Sequence, residues 1–409
     1  MIISAGVVVL LQSYIQYDLS ILAIVILSFM IFSYVIGEVI TSIADEKIKK
    51  RNQLYELNPK LGFKVFSFVI VLFDLILQYK FIREVGDAYG ASDLLSSYAA
   101  NRLNTVDLQK TGETLISPPA YLNIISFLAS SVEIICLHIM LLDKLKFKKK
   151  VDKLLLATVI MYSLTLFFNS GRTAFVFFLI QLFYISSRLS NMALGTLLKS
   201  NKILLSILGI FFFTLFLVLG NLREKSAIKG DINIELDGNS IIAIYVGGPL
   251  VGFDIYANKG IPPYDFKGLT RNEYFGKNTF KGVYDILRKV GIDFKRPVLH
   301  EEKYYLKVIE GNVYTGFCYF IRDFGLYGSI LFMFILGAAI GHFDELIERN
   351  VIGYDNIIGY YTMSYVFYSL LAMFYTSVFY YLFSVDFIIF KVFMMHIFIK
   401  FGVRRSLVK

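Results

Sequence analysis

Charge is scarce in this sequence, and so are the residues that usually build metal or redox sites. Only 18% of the 409 residues are Asp, Glu, Lys or Arg, with 4 histidines and 2 cysteines. Cys136 lies inside an apolar run and Cys318 near the end of a polar stretch, which makes neither a disulfide framework nor a metal site. A Walker loop, a GxGxxG turn, an HExxH helix, paired CxxC motifs and an Asp-x-Asp pair are all missing. These absences exclude the enzymes that announce a nucleotide or metal in this way. An enzyme built from this chain is expected to work without metal or cofactor, on an activated substrate carried by a lipid.

Apolar sequence is what the chain has in abundance. Hydrophobic residues make up 56% and the mean hydropathy is +0.62, well outside the range of ordinary soluble domains. Lipid offers the backbone no hydrogen-bond partner, so a crossing takes roughly 20 apolar residues in helical form. Runs of this kind at 2–17, 19–42, 63–80, 119–142, 152–169, 172–189, 203–220, 325–343, 356–378 and 383–400 predict an all-α polytopic membrane protein of about ten transmembrane helices. The first positive charge is Lys47, so the apolar start has no basic n-region and is expected to stay in the membrane as a helix.

The net charge of +9 does not point to nucleic acid, because the lysines and arginines cluster in short segments beside apolar runs. Lys47, Lys49, Lys50, Arg51, Lys60 and Lys64 form one cluster; Lys144, Lys146, Lys148, Lys149, Lys150 and Lys153 form another; Arg404, Arg405 and Lys409 close the chain. A ten-span count puts all three on one side and both termini in the cytoplasm. The stretch from Ser240 to Ala257 would make an eleventh span, but it is short, carries Gly247, Gly248, Pro249, Gly252 and Asp254, and would put the basic tail outside. It is expected to be an amphipathic or re-entrant helix at the outer interface. Residues 1–220 then hold about seven spans with a polar outer segment at 81–118. Residues 221–312 form a large extracytoplasmic loop with short helices, and 313–409 hold the last three spans. A loop of that length, charged with both signs and rich in Tyr and Phe, is more than a connector. Its aromatic faces suit sugar rings or anchor at the interface.

Two motifs stand out. Asn169-Ser170-Gly171-Arg172-Thr173-Ala174 is a polar break between apolar runs, with Arg172 where a helix begins. A charge so close to the membrane is a candidate functional group, aided by the anion preference of a helix N-terminus, or else an arginine snorkelling at a hairpin. Gly311-Asn312-Val313-Tyr314-Thr315-Gly316-Phe317 is followed by Tyr319, Arg322, Asp323, Phe324, Gly325 and Gly328. Asp-Phe-Gly is also a kinase signature, but no HRD loop or strand lysine accompanies it. Arg322 and Asp323 are instead expected at the outer interface, where they fix the start of the helix or touch a head group. Arg223, Arg271, Arg288 and Arg296 add permanently charged forks suited to phosphate. His300, beside Glu301 and Glu302, has the intrinsic pKa of a general base. Glu38, Asp74 and Glu133 lie in apolar runs, as a buried pair or relay would.

Taken together, NSGRTA, YVGGPLVGFD, GNVYTGF and IRDFGLYG, in this order and topological placement between about Asn169 and Gly341, resemble the Wzy-type oligosaccharide repeat unit polymerases of O-antigen and capsule assembly. The resemblance implies a GT-C-like membrane fold in the bacterial cytoplasmic membrane. It implies glycosyl transfer between undecaprenyl-pyrophosphate-linked repeat units at the outer face, alongside a flippase and a chain-length regulator. It carries Arg172 and Arg322 over as pyrophosphate ligands. In the mechanism that follows, Arg172, Arg223 and Arg322, with Arg271 and Arg296 in reserve, hold the departing pyrophosphate, while His300, Glu301, Asp323 or Asp87 takes the proton. A polysaccharide ligase shares this topology and chemistry. A lipid-linked oligosaccharide flippase is the alternative from another class, against which the lack of internal repeats counts.

Overall fold

The computed structural model describes residues 19–45, 54–94, 96–101, 104, 116–168, 172–190, 249–258, 276, 278–292, 304–306, 309–311, 315–374, 382, 384 and 386–408. Helices dominate them. In chain order they are α1 (Ile21–Ala44), α2 (Leu61–Ala88), α3 (Ala120–Leu145), α4 (Lys153–Phe168), α5 (Arg172–Ser190), α6 (Lys281–Lys289), α7 (Gly316–Glu348), α8 (Ile357–Ala372), a π-helix (Asp386–Phe393) and α9 (Met394–Gly402). Short strands β1 (Tyr55–Pro59), β2 (Tyr304–Leu306), β3 (Ile309–Gly311) and β4 (Val403–Leu407) pair as β1–β4 and β2–β3, both antiparallel. Among the described residues, α1, α2, α3 and α7 are long and apolar enough to cross a membrane, and α4, α5 and α8 contain shorter apolar helices. The expected runs at 2–17 and 203–220 lie outside the described residues.

Two helices overrun the apolar windows that announced them. α2 continues to Ala88, past the point near Phe81 where the composition turns polar, because Phe81, Ile82, Val85 and Gly86 keep a buried face. α7 begins at Gly316 rather than near Gly325, and its backbone breaks at Gly325 with φ 71° and ψ 176°. That left-handed φ favours glycine. The apolar run therefore marks only the longer part of a kinked helix.

The chain forms two compact units, Met1–Arg51 with Glu235–Val351 and Tyr365–Ile388, and Asn52–Ile234 with Ile352–Ser364 and Ile389–Lys409. In the first, α1 packs along α7. Lipid is as apolar as leucine, so such helices are held by close backbone approach more than by hydrophobic burial. Gly337 and Gly341 supply that approach on α7, and Gly37 on α1. A Cβ on Gly337 would fall on the Tyr34 carbonyl, and one on Gly37 on the Phe334 carbonyl. The helices run parallel: Ser33 Oγ donates to the Ile330 carbonyl at 2.8 Å, Gly341 faces Glu38 and Thr41, and His342 Nδ1 meets Asp45 Oδ2 at 2.5 Å. Met30, Tyr34, Phe253, Phe317, Phe320 and Met333 belong to the core around them.

Part of the suspected eleventh span is indeed helical, over residues 249–258, and its acid has a structural job. Asp254 is 3% exposed and accepts hydrogen bonds from Ser20 N at 3.1 Å, from the Ser20 hydroxyl and from Asn258 Nδ2 at 2.9 Å. Ser20 is the N-cap of α1, receiving the Ala23 N–H at 3.2 Å. The charge that made this stretch a poor span ties it to the start of α1.

The second unit is built around α3, which packs against α2, α4, α5 and α9. Its three basic segments meet at one end. β1 pairs with β4 from Tyr55↔Leu407 to Pro59↔Val403, Lys149 bonds Glu56, Lys64 bonds Asp152 and Lys60 Nζ donates to the Phe401 carbonyl at 2.8 Å. Arg405 pairs with the buried Asp355 at 3.2 Å. Lys60 and Lys64, Lys149 and Arg405, one part of each charge cluster, are thus drawn to the same end of this unit.

Asp152 offers a test of that end. It caps α4, with Oδ1 accepting the Leu154 and Leu155 N–H groups at 2.9 and 3.3 Å. Partial burial works to raise its carboxyl, but the Lys64 bond and the two N–H groups outweigh this and hold it below the usual carboxylate range. A depressed folded-state value contributes stability above the unfolded value and loses it as pH falls through the folded one. Asp152→Ala should lower stability by about 1 kcal/mol at neutral pH, the usual value of a cap. Thermal unfolding of both proteins in detergent should show the gap closing in acid. A gap that persists unchanged at low pH would remove the charge from this account.

Candidate functional site

The IRDFGLYG segment becomes a physical object at the start of α7, in the first unit. Each of its residues has a separate task. The Arg322 guanidinium lies over two rings, with its carbon 5.3 Å from the Tyr256 centroid and 5.8 Å from that of Tyr319. A guanidinium on aromatic faces is held in place by its attraction to the rings, and its planar fork has the shape that matches phosphate oxygens. Tyr319 sits one turn before Arg322, so the two share a helix face. Tyr256 comes from the helix at 249–258.

Asp323, next in sequence, points elsewhere. Its Oδ1 accepts from Asn278 N at 3.0 Å and Asn278 Nδ2 at 2.9 Å, and its Oδ2 from Thr279 N and Thr279 Oγ1, both at 2.6 Å. A carboxylate offers about four acceptor positions, and all four are used. Asp323 therefore clamps the start of α6 to α7. Phe324 extends the clamp, with its ring 6.2 Å from Phe280 and stacked on Phe332 at 4.7 Å. Gly325 then turns the chain into the long apolar part of α7.

Arg322 lies toward the end of the first unit that also holds Ser20 and Asp254. The opposite end carries the His342–Asp45 pair, after which the chain enters the basic segment beginning at Lys47.

Two other candidate residues are described, both in the second unit. Asp87 lies in the second unit, in the last turn of α2, where it is exposed and 3.7 Å from Arg83. Arg83 also donates to Ser97 Oγ at 3.2 Å. Arg172 is the first residue of α5. α4 starts at the basic end of the unit and closes at Phe168, whose ring is 5.9 Å from Tyr79 on α2. Arg223, Arg271, Arg296, His300 and Glu301 lie outside the described residues.

Four side chains of this site carry no role that the sequence alone assigns. Tyr319 was within reach, since its spacing from Arg322 puts both on one face. Tyr256 closes the segment already singled out for its glycines, but nothing local links it to Arg322. Asn278 and Thr279 are too far from Asp323 in sequence to leave a local sign.

The length and apolarity of its helices make this a helical membrane protein with a charged, aromatic-lined site at one end of α7. No protein-family model, curated protein or solved structure matches the chain.

Proposed function

We propose that the protein polymerises oligosaccharide repeat units carried on undecaprenyl pyrophosphate, at the outer face of the bacterial cytoplasmic membrane and without a metal. The observation that carries this reading is the Arg322 guanidinium lying over the Tyr256 and Tyr319 rings beside the Asp323 clamp. A pyrophosphate needs planar cationic donors, and sugars adjoining it favour aromatic faces. The reading also draws on the resemblance of the motifs and on topology. Parallel neighbours in a membrane must be separated by an odd number of crossings, and the ten-span order puts five between α1 and α7.

In this mechanism the hydroxyl oxygen of the acceptor's terminal sugar forms a bond to the anomeric carbon of the growing chain. The bond from that carbon to the phosphate oxygen breaks, and the electron pair leaves with undecaprenyl pyrophosphate. Arg322, with the loop arginines, stabilises the departing charge. The hydroxyl proton passes to a base. Asp323 is saturated with hydrogen-bond donors, so we assign this role to His300 or Glu301.

The experiment is deletion of the gene in its host, complementation with wild type, Arg322→Ala, Arg322→Lys or Arg172→Ala, and separation of the surface glycan by size. Deletion should collapse a ladder to single repeats. Arg322→Ala should lower polymerisation about 100-fold or more, the cost of losing one oriented charge-stabilising donor. Lysine should rescue little, because the planar fork is lost. Normal long chains without the protein would end the polymerase reading.

A further inference from the structure

The second unit holds a group of charges that the polymerase reading does not use. Asp74 lies near the middle of α2, Glu133 near the middle of α3 and Lys391 in the π-helix. All three are buried, at 1%, 1% and 7% exposure. α2 and α3 are span-length apolar helices, and ionisable groups inside such helices are costly unless they serve a function. π-helical turns, too, occur often where a helix carries a functional side chain.

The contacts join these groups across one polar stripe of α3, formed by Ser126, Ser130 and Glu133 at i, i+4 and i+7. Gln78 Nε2 donates to Ser126 Oγ at 2.9 Å, and that hydroxyl donates to Asp74 Oδ1 at 2.6 Å. Lys391 Nζ donates to Ser130 Oγ and lies 5.8 Å from the Phe127 ring. It is in electrostatic range of both carboxylates. Glu133 Oε1 is buried with no hydrogen-bond partner among the described residues. Among the described residues, the Cys136 thiol on α3 itself also faces Glu133. His138, farther along α3, is occupied by the Tyr354 carbonyl at 2.7 Å.

Charge accounting decides what such a group holds. Two carboxylates and one ammonium sum to one excess negative charge, which a low-dielectric interior does not tolerate. One monovalent positive charge restores neutrality. A metal ion would want several oxygen ligands converging on it, and no group of three or more His, Cys, Asp or Glu residues among the described ones is placed to hold one. A proton needs a single oxygen, and Glu133 Oε1 is available to carry it.

We propose that Asp74, Glu133 and Lys391 form an intramembrane proton-binding site, in which one exchangeable proton is shared by the two carboxylates beside a fixed ammonium. Its ligand is a proton from the aqueous surface of the membrane. The bond formed is O–H on one carboxylate, the bond broken is an O–H bond of hydronium, and water is released. The inference does not depend on the polymerase reading, because its test measures no glycan.

The test is infrared spectroscopy of the purified full-length protein in lipid nanodiscs at neutral pH, reading the C=O stretch of protonated carboxylic acids. Wild type should show one such group that titrates away at alkaline pH. Glu133→Gln and Asp74→Asn, which keep shape while removing one charge, should each lose it, because the remaining carboxylate is neutralised by Lys391. Lys391→Met should show two protonated groups. No protonated carboxyl in wild type would overturn the proposal without any variant having to fold. A band that survives both amide substitutions would overturn it as well, since it would belong to another carboxyl.

Discussion

Gly337→Ala is expected to destabilise the protein, whereas Gly62→Ala should leave it unchanged or slightly more stable. Both glycines are helical, and alanine is the better helix former by about 1 kcal/mol. At Gly62, on α2, a Cβ would meet nothing within 4 Å, so the intrinsic gain is all that changes. At Gly337 the methyl would occupy the place of the Tyr34 carbonyl oxygen. Backbone cannot swing aside as a side chain can, so α1 and α7 must separate along their length. An overpacked site of this kind costs about 3 kcal/mol, and leucine at Gly337 should cost more than alanine. Detergent-solubilised variants followed by thermal unfolding and gel filtration would give the order. Equal behaviour of the two alanine variants would mean that α1 and α7 are not held by this contact.

Asp323→Ala should release the segment from Asn278 to Lys289 while α1 and α7 stay folded. The substitution removes the acceptor of four hydrogen bonds. It leaves the Asn278 and Thr279 N–H groups partly buried and unsatisfied, at about 3 kcal/mol in all. The readout is limited proteolysis after Lys281, Arg288 and Lys289, together with amide exchange over α6. Both should accelerate in Asp323→Ala, with little change in α1 or α7. The same measurement separates a clamp from a base. An Asp323→Asn protein that loses polymerisation while α6 keeps its full protection would return Asp323 to the proton-transfer step.

How much of this was legible in the sequence depends on how local the signal is. Apolar runs, basic clusters and the polar break before Arg172 are local, and the helices α1 to α5, α7, α8 and α9 fall on them. The Gly337–Gly341 pair is local too, a small-residue spacing that identifies a close helix contact, though the sequence reading did not use it. Lys391 was hidden by its surroundings: one lysine in an otherwise apolar run looks like a snorkelling side chain until Ser130 and the carboxylates of α2 and α3 are seen beside it. Glu133 and Asp74 stood out as charges in apolar runs, but their common partner comes from the far end of the chain. The same holds for Asp323, whose meaning changed from candidate base to clamp once Asn278 and Thr279 were placed against it. Short-range pattern reports which residues are anomalous, and only tertiary structure reports what satisfies them.

The β1–β4 pairing has a consequence for biogenesis. β1 leaves the ribosome before α2, α3, α4 and α5, whereas its partner β4 follows α9. Until then the Tyr55–Pro59 edge has no mate, and α3 waits for the helix that brings Lys391 to its buried acids. The second unit therefore stays open through most of translation. A stalled or prematurely terminated chain would present an unpaired strand and an uncompensated carboxylate, the two marks by which membrane quality control could tell an unfinished molecule from a finished one.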